Sequence, residues 1–286
     1  MKMLVTGGTG YIGSHIVERL LERGHEVRAL ARVTSNISHL KTTEAEIVFG
    51  DIEDYDSLCP IVEGVDVVIH AAARVMPGWG KWEDFEKTTV KGTENMLRAS
   101  AEAGVKRFVY ISSGTVLGEA SYGDTPADES TPPGIATFRY DTFYDHAKLQ
   151  AEQIALDYHK QGKLSVTVAR PCMVYGPRDK LLSDKSYRQF SVPIIVWPGR
   201  SNPRTAIVYV TDVADCIILA ATSDKAVGQI YNIAPPEVVW FRDWADSLIS
   251  AIGGRKLRVS MPYNVGYMWC ALMEGWARLR RQKNIP

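Results

Sequence analysis

The stretch that decides the fold is Thr6-Gly7-Gly8-Thr9-Gly10-Tyr11-Ile12-Gly13, close to the start of the chain. It follows a short apolar run, Lys2 to Thr6, and precedes Tyr11 to Arg23, where apolar residues recur with helical spacing. Its glycines therefore stand between a predicted strand and a predicted helix. Bare backbone N–H groups at a helix N-terminus favour a diphosphate, because the helix dipole is positive there. This context predicts a dinucleotide-binding turn rather than a plain glycine-rich loop.

Strand-like and helix-like segments alternate beyond this turn. After Gly24, the run His25 to Ala31 indicates a second strand and completes a βαβ unit of about 30 residues. The pattern predicts a Rossmann-type, doubly wound α/β fold with a parallel sheet covered on both faces. The further strand candidates are Ile47 to Phe49, Val65 to His70, Lys106 to Ser112 and Leu164 to Arg170, and the helix candidates are Tyr55 to Val62, Glu83 to Ala103 and Asp141 to Gln161.

Prolines become frequent after Pro171, and the predicted elements become shorter. We therefore expect a dinucleotide-binding domain of residues 1–170 and a smaller C-terminal lobe of residues 171–286 that binds the substrate. The two need not fold separately, because ligands of doubly wound folds bind beyond the carboxyl ends of the strands, where a second lobe can cover them. The late elements are strands over Ala206 to Val210 and Gln229 to Ile233, and helices over Val213 to Thr222 and Arg242 to Ile252.

Composition excludes several classes of protein. Of the 286 residues, 45% are hydrophobic and 23% charged, which is ordinary globular usage. The 33 basic residues balance the 33 acidic ones, so no basic field predicts a nucleic-acid partner. The four cysteines form no Cys-x-x-Cys pair, which argues against a zinc site or a disulfide framework. With no signal-peptide core at the N-terminus, a cytoplasmic protein without a metal is expected.

The end of the second strand bears on the choice of dinucleotide. An acidic residue there would bind the ribose 2′-hydroxyl of NAD, but this chain has Arg32 and, shortly after, Ser35. A guanidinium can bind a 2′-phosphate in a bidentate manner, so NADP(H) is favoured over NAD(H), the alternative being a solvated loop arginine. Asp51 and Ile52, after the third strand, would flank the adenine ring. Asp51 could equally cap the following helix.

Tyr144 and Lys148 lie four residues apart near the start of a predicted helix, hence on one face. A neighbouring ammonium and the positive nicotinamide ring would both lower the pKa of the phenol, which lets it exchange protons at neutral pH. Upstream, an apolar strand ends in hydroxyls at Ser112 and Ser113, at the sheet edge where this fold keeps its site. Ser113 could bind a substrate carbonyl. His70 and His146 are not assigned a catalytic role.

Taken together, these motifs resemble the extended short-chain dehydrogenase/reductase family over nearly the whole chain. The resemblance implies that Tyr144 is the acid/base, that Lys148 tunes it and that Ser113 binds the carbonyl. One departure is Thr89, because the family often has an asparagine at this position. The supporting role of that asparagine is therefore left open for this chain. The motifs are the glycine turn, Gly50-Asp51-Ile52, Val68-Ile69-His70-Ala71-Ala72-Ala73, Ser112-Ser113, Tyr144 with Lys148, and Arg170-Pro171 before Val174-Tyr175-Gly176-Pro177. The implied cofactor contacts are Gly7, Gly10, Tyr11, Ile12, Gly13, Arg32, Ser35, Asp51, Ile52, Ala71, Ala72, Ala73, Tyr144, Lys148, Pro171 and Met173.

Two enzyme branches share this site: reductases of ketones, and epimerases or dehydratases of nucleotide-sugars. Thr205 occupies the position at which the sugar enzymes usually carry a diphosphate-binding arginine, although Arg204 is adjacent. The sequence is more similar to the 3β-hydroxysteroid dehydrogenase and dihydroflavonol reductase branch. We therefore predict an NADP(H)-dependent oxidoreductase acting on an apolar ketone or secondary alcohol. A nucleotide-sugar enzyme is the alternative, and a non-catalytic NADP(H) sensor is a second.

Three residues are candidates for contact with a small-molecule substrate: Trp79 in a glycine-rich loop, Thr115 after Ser113, and Phe143 next to Tyr144. The segment Pro262 to Leu279 is rich in Tyr, Trp and Met. Packing in the core or over a pocket is favoured for it, and contact with a membrane surface is the alternative. By resemblance to the family, a homodimer is expected.

Overall fold

A computed structural model describes eight stretches of the chain. They are residues 1–75, 81–122, 127–135, 142–180, 182–198, 202–237, 239–253 and 257–279. Trp79, one of the candidate substrate contacts, lies outside these residues.

Seven parallel strands form the central sheet, in the order β11-β6-β5-β4-β1-β2-β3. The predicted doubly wound α/β fold is confirmed. The strand order reverses between β1 and β4, which is the switch point at which such sheets bind their ligands. The strands of the sheet are β1 (Lys2–Thr6), β2 (Glu26–Ala31), β3 (Glu46–Phe49), β4 (Val67–His70), β5 (Arg107–Ile111), β6 (Val166–Pro171) and β11 (Ile230–Ile233).

Six short strands pair outside the central sheet as three two-stranded sheets: β7 with β10, β9 with β12, and β8 with β13. They are β7 (Met173–Tyr175), β8 (Ile194–Pro198), β9 (Arg204–Thr205), β10 (Ile207–Tyr209), β12 (Val239–Trp240) and β13 (Leu257–Met261).

Helices follow the predicted positions closely. The predicted helix over Glu83 to Ala103 is interrupted: a π-helical turn, Glu86–Lys91, joins two α-helical pieces. The helices are α1 (Tyr11–Glu22), α2 (Tyr55–Val62), α3 (Trp82–Phe85), α4 (Gly92–Glu102), α5 (Phe143–Lys160), α6 (Ser183–Phe190), α7 (Val210–Thr222), α8 (Phe241–Ile252) and α9 (Tyr263–Leu279).

Apolar side chains fill both faces of the sheet, which is why its strands read as continuous apolar runs. On one face, Ile16 and Leu20 of α1 and Ile217 of α7 pack against β1 and its neighbours. On the other face, Leu97 of α4 and Ala151 of α5 pack against the same strands. The two layers hold the carboxyl ends of β1, β4, β5 and β6 at a single edge.

The chain divides into two compact units. One contains Met1–Gly176 and Val208–Ala234, and the other contains Pro177–Ile207 and Pro235–Pro286. The first stretch of the first unit ends at Gly176, six residues after the predicted boundary at residue 170. Its second stretch contains α7 and β11.

The second unit has a small core of its own, in which Phe190, Ile195 and Ile249 are buried. Helix α9 covers most of the segment Pro262 to Leu279, and most of its large apolar side chains are exposed, so the expectation that they pack in a core is wrong. The exposed side chains are Tyr263, Val265, Tyr267, Met268, Trp269, Leu272 and Trp276, from 47% to 67% exposed. Across the described ranges, no helix has the length and apolarity of a membrane span.

Candidate active site

The glycine turn after β1 is packed too closely for side chains. Gly7 has φ +67°, and a Cβ there would lie 2.8 Å from the backbone nitrogen of Ala72. A Cβ on Gly13 would lie 2.2 Å from the carbonyl oxygen of Gly7, which already accepts the N–H of Gly10 at 2.8 Å. Helix α1 begins at Tyr11, so its N-terminus, the positive end of the helix dipole, faces the turn. This cradle fits a dinucleotide diphosphate.

Arg32 and Ser35 form a tight turn at the carboxyl end of β2. The Ser35 N–H donates to the Arg32 carbonyl at 2.9 Å, and the Ser35 hydroxyl accepts the Arg32 N–H at 3.2 Å. Arg32 itself is exposed. The hydroxyl of Ser35 keeps its own proton to donate, so both side chains are available to a phosphate at this edge.

Asp51 and Ile52 follow β3 in different environments. The Asp51 carboxylate accepts the N–H of Glu53 at 3.0 Å, in the turn that leads into α2. Ile52 is 6% exposed and packs in the core against Gly92. Asp51 does not cap α2, because the N-cap of that helix is Asp54 and, among the described residues, no side chain caps it.

A buried chain of hydrogen bonds connects the end of β1 to the end of β4. The Thr6 hydroxyl lies 2.8 Å from Nδ1 of His70 and accepts the N–H of Ala72 at 3.1 Å. Nε2 of His70 lies 3.1 Å from the Thr93 hydroxyl, which donates to the carbonyl of Thr89 at 2.6 Å. Because that hydroxyl donates elsewhere, it accepts from His70, whose Nε2 therefore carries the proton.

The environment of His70 explains why it needs no catalytic role. Its side chain is fully buried, and burial lowers its pKa to about 3, with the charge of Lys148 as a second cause. A histidine that stays neutral and holds two hydroxyls is a structural link. It fixes the Ala71 to Ala73 segment against the glycine turn.

Thr89 supports the same segment from the π-helical turn. Its hydroxyl accepts the backbone N–H of Arg74 at 3.0 Å, just beyond Ala73. The residue is fully buried. The hydroxyl of Thr89 therefore holds the end of the Ala71 to Ala73 segment. The family to which the sequence is similar often has an asparagine at this position.

Ser113, Tyr144 and Lys148 converge at the carboxyl end of β5. Ser113 shares a side-chain hydrogen bond with Tyr144 and accepts the Thr115 hydroxyl at 3.0 Å. Lys148 is 3% exposed and donates from Nζ to the carbonyl of Ile111 at 2.7 Å. Its ammonium also lies 5.1 Å from the centre of the Tyr110 ring. The predicted triad is thus assembled in one place.

The electrostatics of the triad differ in part from the sequence expectation. Burial raises the pKa of Tyr144 to about 12, which exceeds the lowering by the Ser113 hydrogen bond. The protein by itself therefore shows no lowering, because burial disfavours the phenolate. The lowering by a bound nicotinamide stays a prediction. Burial also lowers the pKa of Lys148 to about 7, while the charge of Glu152 opposes that shift.

Pro171 to Met173 approach this cluster from β6. A Cβ on Gly114 would lie 3.4 Å from the carbonyl oxygen of Pro171, and Cys172 is held by its N–H bond to Ile233 at 2.9 Å. Met173 is 44% exposed. The backbone after β6 therefore lies beside the residue that follows Ser113.

Aromatic residues pack around the first turn of α5. Phe143 contacts Trp82 and Phe85 with ring centres 5.8 and 6.2 Å apart. Tyr144 packs against the same cluster. Phe143 thus packs between Tyr144 and the aromatic residues of α3 in one apolar cluster. The sequence did not predict this cluster. In the described part of the chain, no three potential metal ligands cluster.

The family model for the NAD-dependent epimerase/dehydratase family matches residues 3–234. The chain belongs to this family. The match spans the glycine turn, the Ser113–Tyr144–Lys148 cluster and the returning α7 and β11. It confirms the resemblance to extended short-chain dehydrogenases/reductases, and the chain is an NAD(P)-dependent oxidoreductase of that kind.

Relatives within the epimerase/dehydratase family carry names from both enzyme branches. A 3β-hydroxysteroid dehydrogenase/Δ5→4-isomerase of Mycobacterium tuberculosis is 32% identical over 100% of this chain and 78% of its own length. A 2-alkyl-3-oxoalkanoate reductase of Stenotrophomonas maltophilia is 27% identical over 100% of this chain and 86% of its own. The crystal structure of gox2253 has a TM-score of 0.79 at 30% identity, covering 96% of this chain and 82% of that one. A Thermotoga maritima UDP-glucose 4-epimerase, solved with UDP-glucose, has the same TM-score at 26% identity and covers 92% and 86%.

Proposed function

We propose that the protein is an NADP(H)-dependent ketoreductase that interconverts an apolar ketone and its secondary alcohol. The observation that carries the proposal is the meeting of Ser113, Tyr144 and Lys148 at the edge that also carries the glycine turn. A phenol, a hydroxyl and an ammonium at one point can bind a carbonyl oxygen and supply its proton. The same groups accept the proton in the reverse direction.

The residues at this edge fit a dinucleotide. Gly7, Gly10 and Gly13 would hold the diphosphate, Arg32 with Ser35 would hold a 2′-phosphate, and Ala71 to Ala73 with Pro171 to Met173 would border the nicotinamide half. A bound nicotinamide supplies or accepts the hydride. Asp51 and Ile52 would lie toward the adenine. The choice of NADP(H) rests on the exposed guanidinium of Arg32 at a position that lacks an acid.

Each member of the triad has a distinct task. Tyr144 is protonated at neutral pH, since its pKa lies near 12, so it donates to a carbonyl oxygen that develops negative charge. Ser113 orients that oxygen, and Thr115 orients Ser113 through its 3.0 Å hydrogen bond. The Lys148 ammonium favours the phenolate that remains after proton transfer.

An apolar substrate is favoured by two observations. The relatives named above include enzymes of steroids and of alkyl oxoalkanoates. Arg204, which could have served a sugar diphosphate, lies with its guanidinium 5.2 Å from the centre of the Trp240 ring. We further infer that Phe143, beside Tyr144, contributes to the substrate site. A cytoplasmic homodimer completes the proposal.

The decisive variant is Tyr144→Phe, which removes only the phenolic oxygen. We expect kcat for NADPH-dependent carbonyl reduction to fall by about 10²- to 10⁴-fold, the usual range for loss of a general acid. The Kd for NADPH should stay within about twofold, because the remaining contacts are unchanged. Stopped-flow and fluorescence titration measure the two quantities.

Tyr187→Phe, at an exposed tyrosine, is the matched control and should retain full activity. A panel of steroids, oxoalkanoates and nucleotide-sugars identifies the substrate class. Full activity in Tyr144→Phe would refute the assigned chemistry. Inversion of a nucleotide-sugar without net cofactor turnover would establish the epimerase reaction in its place.

A further inference from the structure

A buried carboxylate lies one helical turn beyond Lys148 and has no part in the mechanism above. Glu152 is 2% exposed. It shares the face of α5 that carries Tyr144 and Lys148, because the three residues are spaced four apart. Among the ion pairs of the described residues, the one between Glu152 and Arg170 is the one in which both side chains are buried.

Glu152 connects three elements of the site. Its Oε2 accepts the Ser112 hydroxyl at 2.6 Å and Nε of Arg170 at 3.1 Å, and its Oε1 accepts Nη2 of Arg170. Ser112 precedes Ser113 at the end of β5, and Arg170 precedes Pro171 at the end of β6. One carboxylate thus joins α5, which carries Tyr144, to the ends of β5 and β6. The first of these strand ends leads to Ser113, and the second leads to the predicted cofactor contact Pro171.

The charges around Lys148 make this carboxylate important. Strand β4 contributes the neutral His70, strand β5 contributes Tyr110, and strand β6 contributes the cation Arg170. Helix α4 contributes Thr93, an uncharged hydroxyl, and α5 itself contributes Tyr144 and Glu152. Glu152 is the single carboxylate in this set. Glu152 thus forms an ion pair with Arg170 and is also the acidic side chain one helical turn from Lys148.

We propose that Glu152 is a positioning residue: its carboxylate fixes the ends of β5 and β6 to α5 and supplies the negative charge one helical turn from Lys148. The inference rests on the role given to Lys148 in the proposed function. A buried ion pair by itself contributes little net stability, so stability alone gives a weak reason for placing these charges here. Their contact with the catalytic helix gives a stronger one.

The first test measures the pKa of Lys148 without relying on turnover. Competitive labelling with acetic anhydride over a range of pH, followed by peptide mass spectrometry, gives the titration of Lys148 relative to the exposed Lys41. In Glu152→Gln we expect the Lys148 pKa to fall by roughly one unit, since the opposite charge one helical turn away is lost. Asp157→Asn, at an exposed carboxylate of the same helix, should leave it unchanged.

Two more variants separate charge from folding. Glu152→Asp keeps the charge and should restore the Lys148 pKa, even if the shorter side chain lowers kcat. The double variant Glu152→Gln with Arg170→Met removes both buried charges, which folded proteins often tolerate, so it remains available if Glu152→Gln alone fails to fold. Its Lys148 pKa should be lower than in Arg170→Met alone, because the two variants differ only in the carboxylate on the helix face of Lys148.

The second readout is the pH profile of kcat/KM for carbonyl reduction. Its alkaline limb should move to lower pH in Glu152→Gln and stay in place in Glu152→Asp. A Lys148 titration in folded Glu152→Gln that coincides with the wild type overturns the inference and leaves the proposed function intact. Absence of carbonyl turnover in the wild type would instead refute the proposed function, while the labelling experiment would still decide the role of Glu152.

Discussion

Arg32 is the residue on which the choice of dinucleotide depends. It is exposed in the turn after β2, which Ser35 closes, and the chain has an arginine here in place of the acidic residue that would select NAD. The nearby carboxylate of Glu53 has its pKa lowered in part by the charge of Arg32. A guanidinium can form two charge-assisted hydrogen bonds to a phosphate, whereas it offers little to the 2′-hydroxyl of NAD. The two dinucleotides should therefore respond differently to its removal.

For Arg32→Ala we expect the Kd of NADPH to rise by about 10- to 100-fold, since a charge-assisted hydrogen bond contributes about 1.5–3 kcal/mol. The Kd of NADH should change by less than about twofold. Isothermal titration calorimetry with both dinucleotides measures this. Lys41→Ala removes another exposed positive charge from the same part of the chain and serves as the control. An intact preference for NADPH in Arg32→Ala would contradict the NADP(H) assignment.

Single residues of the site differ in how far the sequence could identify them. The glycine turn and the Tyr144–Lys148 pair were identifiable because their partners are close in sequence. The Glu152–Arg170 pair and the link from Thr6 to His70 were not, because their members lie 18 and 64 residues apart. The raised pKa of Tyr144 was also missed, since burial of a ring depends on the tertiary packing.

At the scale of elements, strands and helices were predicted well where apolar periodicity was strong. The strand β1 and the helix α2 match their predicted bounds. The π-helical turn at Glu86–Lys91 was missed, because one extra residue in a helical turn leaves the composition of the segment unchanged. The turn nevertheless matters, since it presents the Thr89 hydroxyl to Arg74 and the Thr89 carbonyl to Thr93.

The buried link between β1, β4 and α4 should make stability depend on pH. The pKa of His70 is about 3 in the folded protein, against an ordinary value of 6.5. As the pH falls, the imidazole is therefore protonated in the unfolded chain before it is protonated in the folded protein. Stability is therefore fully present above pH 6.5 and is lost as the pH falls toward 3. Between pH 6.5 and 5, this group should remove roughly 1.5 kcal/mol from the free energy of unfolding.

Urea unfolding at the two pH values, in wild type and in His70→Asn, isolates this contribution. His70→Asn should be less stable than the wild type at pH 6.5, because the hydrogen bonds to Thr6 and Thr93 are disturbed. It should lose about 1.5 kcal/mol less on acidification. Equal losses in wild type and His70→Asn would mean that His70 is not a buried neutral group.

At the scale of the whole molecule, the dinucleotide-binding unit is assembled from two separate stretches of chain. Helix α7 places Val213, Ile217 and Ile218 in the core that also contains Ile16 and Leu20 of α1. Strand β11 extends the central sheet by pairing with β6. The division at residue 170 was predicted as a soft boundary between interleaved lobes, and composition alone does not indicate which later helix and strand return to the first core.

This assembly predicts which fragments can fold. A chain of residues 1–170 would expose the face of α1 that α7 covers. Burial of an aliphatic side chain contributes about 1.5–3 kcal/mol, so the loss of three from α7 removes about 5–9 kcal/mol as an upper estimate. That is comparable with the whole stability of a typical domain, about 5–15 kcal/mol. The 1–170 fragment should therefore show no cooperative unfolding.

A fragment that joins residues 1–176 to 208–234 through a short Gly-Ser linker should fold. The two ends to be joined are close, because a Cβ on Gly176 would lie 3.1 Å from the Tyr209 ring. Thermal unfolding followed by circular dichroism should show one cooperative transition, and NADPH should raise its midpoint because the glycine turn and Arg32 are retained. A 1–170 fragment that unfolds as cooperatively as the joined one would show that α7 and β11 are dispensable. A joined fragment that does not fold would show that the unit depends on the remainder of the chain.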